Sequence, residues 1–255
     1  MPLSYETLSQ KDLTNKMLDD AAVLFRAHYG VWAKGTALEG KLSCPTPFQG
    51  QLSDVNTIGN RIKINPKQLR DYYLPDHADC SYARALLDGR LVGHALICRW
   101  NWNGKRVCWV TQLVVHMQYR HQGIATTLLR LSRVESDDIY GILSSNPFAC
   151  MAAATSFGGS IINLPLDFIR QNAQEILKAS PVNYVKTAVV KGSLFGHDST
   201  DLVSGIDTQF FVDHEEPDAA LKTALRRGWP LGNLPQGHEY VLVFPVKASQ
   251  SDACQ

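Results

Sequence analysis

The sequence predicts an α/β fold of the α+β kind. It has one mixed, mostly antiparallel central sheet, flanking helices and a C-terminal elaboration, and three features of the 255 residues carry this expectation. Apolar strand runs joined at Asp88-Gly89 and Asn103-Gly104 read as an antiparallel meander, because such dipeptides supply the positive φ angles of two-residue hairpin turns. Segments with apolar residues at helical spacing lie before and after that meander. Between them, Leu113 to Leu129 passes from a β-branched strand through a short glycine-containing turn into a helix.

Taken in order, a short extended element is expected over Ser4 to Leu8. A helix follows over Lys11 to His28, with Leu13, Met17, Ala21 and Leu24 on one face and Gly30 as its stop. Residues 31–64 form a long irregular connection rich in Gly, Ser, Thr and Pro, of the length that is usually functional or mobile. A short helix spans Pro66 to Tyr73. The meander comprises Tyr82 to Leu87, Arg90 to Trp100 and Val107 to Val115. The helix after Gly123 buries the stripe Ile124, Leu128 and Leu131. An acidic stretch, Glu135 to Asp138, leads into a strand over Tyr140 to Ser144. A helix then runs from Pro147 to just before Gly158-Gly159, with a strand over Ser160 to Asn163 beyond it. Further on come a helix over Leu166 to Lys178, a strand over Tyr184 to Val190 and a helix over Pro217 to Arg227, which has Pro near its start and Gly228 past its end. A final strand covers His238 to Val246. The sequence thus divides into a core over 1–163, an elaboration over 164–237, a completing strand over 238–247 and a disordered polar tail over 248–255.

A net charge of +1 offers no electrostatic case for nucleic acid or an acidic membrane surface. No run of about eighteen apolar residues marks a membrane span. Met1-Pro-Leu-Ser-Tyr-Glu lacks the basic and apolar regions of a secretory leader. The cysteines at 44, 80, 98, 108, 150 and 254 form neither a Cys-x-x-Cys pair nor a cluster with histidine, so no metal site is expected and a reducing, cytoplasmic setting is.

The chemistry is concentrated in Leu113-Val-Val-His-Met-Gln-Tyr-Arg-His-Gln-Gly-Ile-Ala-Thr-Thr-Leu-Leu129. A strand end feeding a helix start presents unpaired backbone N–H groups and the positive end of a helix dipole, a combination that suits a phosphate. The spacing is neither Gly-x-Gly-x-x-Gly nor a Gly-Lys-Ser/Thr loop. Instead, Arg120-His-Gln-Gly123-Ile-Ala125 resembles the pyrophosphate loop of the GNAT superfamily of N-acetyltransferases, Arg/Gln-x-x-Gly-x-Gly/Ala. The likeness extends upstream through Val115-His116-Met117-Gln118-Tyr119, which departs from Val-His-Pro-x-Tyr only at Met117. The element order over residues 4–163 is also that of the GNAT core.

That resemblance implies acetyl-CoA as cofactor. Its pyrophosphate would be held by backbone N–H groups of His121, Gln122, Gly123, Ile124, Ala125 and Thr126, with Arg120 shaping the loop. The backbone of Leu113, Val114 and Val115 would pair with the pantetheine arm where the fourth and fifth strands splay apart. Asn146, in Asn146-Pro-Phe-Ala149, matches the family's Asn-x-x-Ala segment and also reads as a helix cap. The family's general acid, a tyrosine, falls here on Ala153 or Ala154, and its carboxylate on the fourth strand falls on Gln112. The catalytic residue is therefore left unassigned. Weaker acceptor-side candidates are Tyr72, Tyr73, His94, Thr111 and Gln112, with His116 and Asp71 as other sources of a base. The implied activity is transfer of an acetyl group to a primary amine of a small molecule, within a chain able to form a homodimer. Acetylation of a protein or peptide, or acyl-CoA binding without transfer, are the alternatives.

Overall fold

The computed structural model describes residues 2–33, 60–196 and 201–246. In chain order the elements are β1 (Leu3–Ser9), α1 (Asn15–His28), α2 (Pro66–Tyr73), β2 (Asp79–Leu87), β3 (Arg90–Trp102), β4 (Lys105–Val115), α3 (Ile124–Leu131), β5 (Ile139–Ser144), α4 (Pro147–Ala153), α5 (Leu166–Lys178), α6 (Asn183–Lys186), β6 (Val190–Lys191), β7 (Gly205–Asp207), α7 (Glu215–Leu225) and β8 (His238–Pro245). The strands form one sheet in the order β1-β2-β3-β4-β5-β8-β7-β6. Every described pairing is antiparallel except β4 with β5.

Local chemistry accounts for most boundaries. Asp88 and Gly89 (φ 51° and 74°) and Asn103 and Gly104 (φ 48° and 75°) turn the two hairpins with both central residues at positive φ. Thr14 caps α1 by accepting from the Met17 amide at 3.3 Å. At α2, Asn65 and Gln68 exchange backbone and side-chain bonds of 2.8 and 3.0 Å, and Pro66 occupies the first turn.

The sheet is covered on both faces. On one, Phe25 and Leu18 of α1, Leu69 of α2, Ile169 and Ile176 of α5 and Val185 of α6 pack over Trp109, Val241 and Val243. On the other, Leu128 of α3, Cys150 of α4 and Ala224 of α7 pack over Val110, Ile142 and Leu242. The sheet's strands are apolar on both faces for this reason, as in other doubly covered sheets.

Several expectations are corrected. The first helix begins at Asn15 rather than Lys11, because Gln10–Asp12 takes a separate 3-10 turn and Thr14 supplies the cap. That helix ends on Tyr29 in right-handed geometry, and Gly30 is not in the left-handed region. In α3 the stripe is Ile124, Leu128 and Leu129, while Leu131 is exposed. Ser160 to Asn163 is no strand: Ser160 caps a 3-10 turn over Ile161–Asn163, with its hydroxyl accepting from the Ile162 amide. Tyr184 to Val190 is no strand either, since Asn183–Lys186 is helical and only Val190–Lys191 pairs. Most of the 31–64 connection and the expected tail lie outside the described residues.

Candidate active site

The parallel pairing of β4 with β5 covers Val107 to Val110 against Ile139 to Ile142 and then stops. β4 nevertheless continues to Val115, and β5 goes on pairing with β8 through Ser144. The two strands therefore diverge from Thr111 onward. A β-bulge marks the same level, because Leu96 faces Gln112 and Ile97 faces Val110, leaving Thr111 as the additional residue. Leu113, Val114 and Val115 still pair with β3, but no β5 partner lies on their other side.

Beyond β4, a 3-10 turn over Met117–Tyr119 and the extended Arg120 bring the chain to His121 and Gly123, both at positive φ (61° and 81°). Gly123 is the N-cap of α3. The first backbone acceptance in this helix is Thr127 N–H to the Gly123 carbonyl at 2.9 Å. The amides of His121, Gln122, Gly123, Ile124, Ala125 and Thr126 have no hydrogen-bond partner among the described residues, which is the donor fan a phosphate needs. Arg120 braces the loop: its Nε donates to the Val115 carbonyl at 3.1 Å and its Nη2 to the His28 carbonyl. His28 and His116 meet nearby at a tilt of 42°, with ring centroids 3.8 Å apart.

Asn146 caps α4 by accepting from the Phe148 amide at 2.9 Å, while its Nδ2 donates to Glu216 at 3.1 Å. The same Glu216 oxygen pairs with Arg120 Nη1. A carboxylate from the first turn of α7 thus bridges the two side chains that the resemblance assigns to an anionic ligand. Nothing local to Glu216 in the sequence announces this contact with residues 96 and 70 positions away.

The divergence of β4 and β5 opens a narrow cleft of about 60 Å³, partly open to solvent. Tyr73, Thr111, Gln112, Leu113, Tyr184, Phe210 and Glu239 are among the residues that line it. Tyr73 and Tyr184 meet edge to face, 5.7 Å between centroids. Tyr184 donates its hydroxyl to the Thr111 carbonyl at 2.9 Å, at the point where β5 has left β4. Gln112 is buried; its Oε1 lies 2.8 Å from His94 Nε2, and its Nε2 has no bond of good geometry. His94 is wholly enclosed, and burial pushes its pKa down to about 4, leaving a neutral ring that orients Gln112. Of the other candidates, Tyr72 is exposed and absent from the cleft wall. Asp71 pairs with Lys67 on the surface.

Glu239, on β8, was not among the candidates from sequence. Its carboxyl is buried, and desolvation pushes its pKa up to about 7 against the opposing effect of a bond from the Thr208 hydroxyl. The available signal was a carboxylate immediately before the apolar run Tyr240-Val-Leu-Val-Phe244 and on the same strand face as Val241 and Val243. A second cavity adjoins the first through the shared walls Tyr184 and Thr208. Among the described residues, no group of three or more His, Cys, Asp or Glu side chains is placed to hold a metal ion, and no helix is long and apolar enough to cross a membrane.

Residues 53–134 match the sequence profile of the Acetyltransferase (GNAT) family, which spans α2 through α3 and includes the diverging strand and its loop. No curated protein sequence matches the chain. Similar solved structures include a ribosomal-protein-alanine N-acetyltransferase of Escherichia coli (8% identity, 99% of this chain and 100% of that one, TM-score 0.42). They also include a ribosomal-protein-alanine N-acetyltransferase of Brucella melitensis biovar Abortus 2308 (19%, 50% and 67%, TM-score 0.29). A third is the PaiA N-acetyltransferase of Thermoplasma acidophilum in complex with coenzyme A (13%, 56% and 79%, TM-score 0.34). By this match, residues 53–134 are similar to the GNAT family of acetyltransferases.

Proposed function

We propose that the protein moves the acetyl group of acetyl-CoA to the primary amine of a small molecule. The observation that carries this reading is the divergence of β4 from β5 beside the loop before α3. One end of that opening offers unpaired amides suited to a pyrophosphate, and the other is a cleft lined by Tyr73, Tyr184, Phe210 and Glu239.

The fit of the residues to coenzyme A is good in backbone terms. His121 to Thr126 would hold the pyrophosphate, Leu113 to Val115 the pantetheine arm, and Asn146 the arm's amides. The acetyl thioester supplies an activated acyl carbonyl when bound. The protein's own contribution is to fan the amides, hold Arg120 against the Val115 carbonyl and enclose the acceptor among aromatic side chains. Glu216 must exchange its bonds to Arg120 and Asn146 for the ligand's, a substitution of one anion for another.

A non-catalytic acyl-CoA binder is the second reading, favoured by Ala153 and Ala154 at the family's acid position and by buried, neutral Gln112 on β4. Calorimetric titration with acetyl-CoA, followed by thiol release with a panel of primary amines, separates the two. Binding with amine-dependent release supports transfer. Binding without release favours the second reading, and no binding defeats both.

A further inference from the structure

The buried carboxylate, guanidinium and imidazole side chains of the described residues (His94, Arg99, Asp137, His214 and Glu239) divide by partner. Arg99 and Asp137 neutralise each other, with Nε to Oδ1 at 2.9 Å. His94 and His214 are held toward the neutral form by desolvation. Glu239 has no ion-pair partner among the described residues. Burying a carboxylate with no counter-charge is costly unless a ligand supplies one.

The groups facing Glu239 are Tyr29 after α1, Tyr73 from α2, Cys150 from α4, Tyr184 from α6 and Thr208 after β7. None is basic. Burial raises the three tyrosines' pKa values well above the ordinary phenol value, so they stay protonated and neutral. Phe210 closes the ring, 6.3 Å from the Tyr29 centroid. Aromatic faces around a single carboxylate are the chemistry that selects an organic ammonium ion.

We propose that Glu239, enclosed by Tyr29, Tyr73, Tyr184 and Phe210, is the ammonium site of the acceptor, and that its carboxylate takes the proton the amine must shed. This rests on the amine-transfer reading above. An N–H bond of the ammonium breaks, its electron pair stays on nitrogen as the nucleophilic lone pair, and the proton forms an O–H bond with a carboxylate oxygen. A buried ion pair becomes a neutral amine beside a neutral acid, a change that a water-poor cleft favours. Desolvation makes Glu239 a better proton acceptor than an exposed glutamate, in keeping with that task. The carboxylate that the family resemblance would place at Gln112 on β4 is thereby supplied from β8, in the wall of the same cleft.

The test uses the full chain labelled with 13C at glutamate carboxyl carbons, as wild type and as Glu239→Gln, titrated with and without propylammonium chloride. The expected result is one carboxyl resonance titrating well above the others, absent from the variant and moved down by about one pH unit by propylammonium. A Glu239 resonance indifferent to propylammonium overturns the ammonium site. With an amine accepted in the thiol-release screen, Glu239→Gln should lower kcat about 100-fold or more and remove the acid limb of its pH profile. Its affinity for acetyl-CoA should be unchanged. A variant retaining full turnover and the same profile overturns the proton-acceptor role while leaving the transfer reading intact. If wild type binds no acetyl-CoA, the transfer reading falls and the proton-acceptor role with it.

Discussion

Gly141 on β5 lies opposite Trp109 on β4, in the last paired stretch before the two strands part. A Cβ built at Gly141 would sit 2.0 Å and 2.2 Å from two ring carbons of Trp109. Carbon atoms rest at about 3.5 Å or more, so the ring or the strand must move by roughly 1.5 Å. Trp109 is fully buried and packs against Trp100 at 5.7 Å, which leaves it little room to yield. Overpacking a close-packed core costs about 1–3 kcal/mol, and a clash with a rigid buried indole belongs at the upper end. At about 2–4 °C per kcal/mol for a chain of this size, Gly141→Ala should lower the melting temperature by about 6–12 °C. The control is Gly89→Ala, where φ is 74° and a Cβ meets nothing within 4 Å. Backbone strain alone then costs about 1 kcal/mol, and the shift is about 2–4 °C. Differential scanning calorimetry on both variants distinguishes steric from conformational cost. A Gly141→Ala shift no larger than that of Gly89→Ala would refute the argument that Trp109 fills the space a side chain needs.

Three other predictions concern the site. Gly123→Glu places bulk and negative charge beside the unpaired amides, where a Cβ meets nothing within 4 Å; acetyl-CoA binding should vanish in calorimetry while melting falls only about 2–4 °C. Glu216→Gln removes a half-exposed carboxylate from Arg120 and Asn146, and acetyl-CoA should bind about 2–5-fold tighter at low salt, the gain shrinking as salt is added; weaker binding would show that Glu216 supports the loop instead of competing for it. For stability against pH, Glu239's folded pKa near 7 lies above its ordinary 4.5, so its favourable contribution is complete below 4.5 and lost as pH rises through 7. His94, depressed from 6.5 to about 4, contributes stability above 6.5 that is lost as pH falls through 4. Between pH 4.5 and 6.5 the two oppose each other. Glu239→Gln should therefore be more stable than wild type at pH 8, by on the order of 3 kcal/mol, with the difference fading toward pH 4.5. Denaturant melts across that range check it, and a difference independent of pH would contradict the burial of this carboxyl.

Much of the scaffold was legible in the sequence because its determinants act over a few residues. Asp88-Gly89 and Asn103-Gly104 set their turns by their own φ preferences, and Asn65-Pro66 with Gln68 closes its cap within one helical turn. Arg120 to Ala125 forms its loop between a strand and a helix that adjoin it directly. Where the reading failed, tertiary context had overridden propensity. The β-branched run at Ile161-Ile162 looks like a strand, yet the preceding π-helical turn and the Ser160 cap coil it. Tyr184 to Val190 looks extended, yet Val185 is drawn into the core as part of a helical turn.

The sequence by itself determined the meander and the turn before α3, both of which depend on neighbours in the chain. Only the tertiary structure decided the surroundings of the chemistry. Tyr184 reaches the Thr111 carbonyl across 73 residues, Glu216 reaches Arg120 across 96, and Glu239 comes to the cleft on a strand that joins the sheet after the whole elaboration has been threaded. A carboxylate's burial, and the cations it lacks among the described residues, are properties of what packs around it. No window of sequence contains them, and the charge state of Glu239 is set by residues brought together only when the sheet closes.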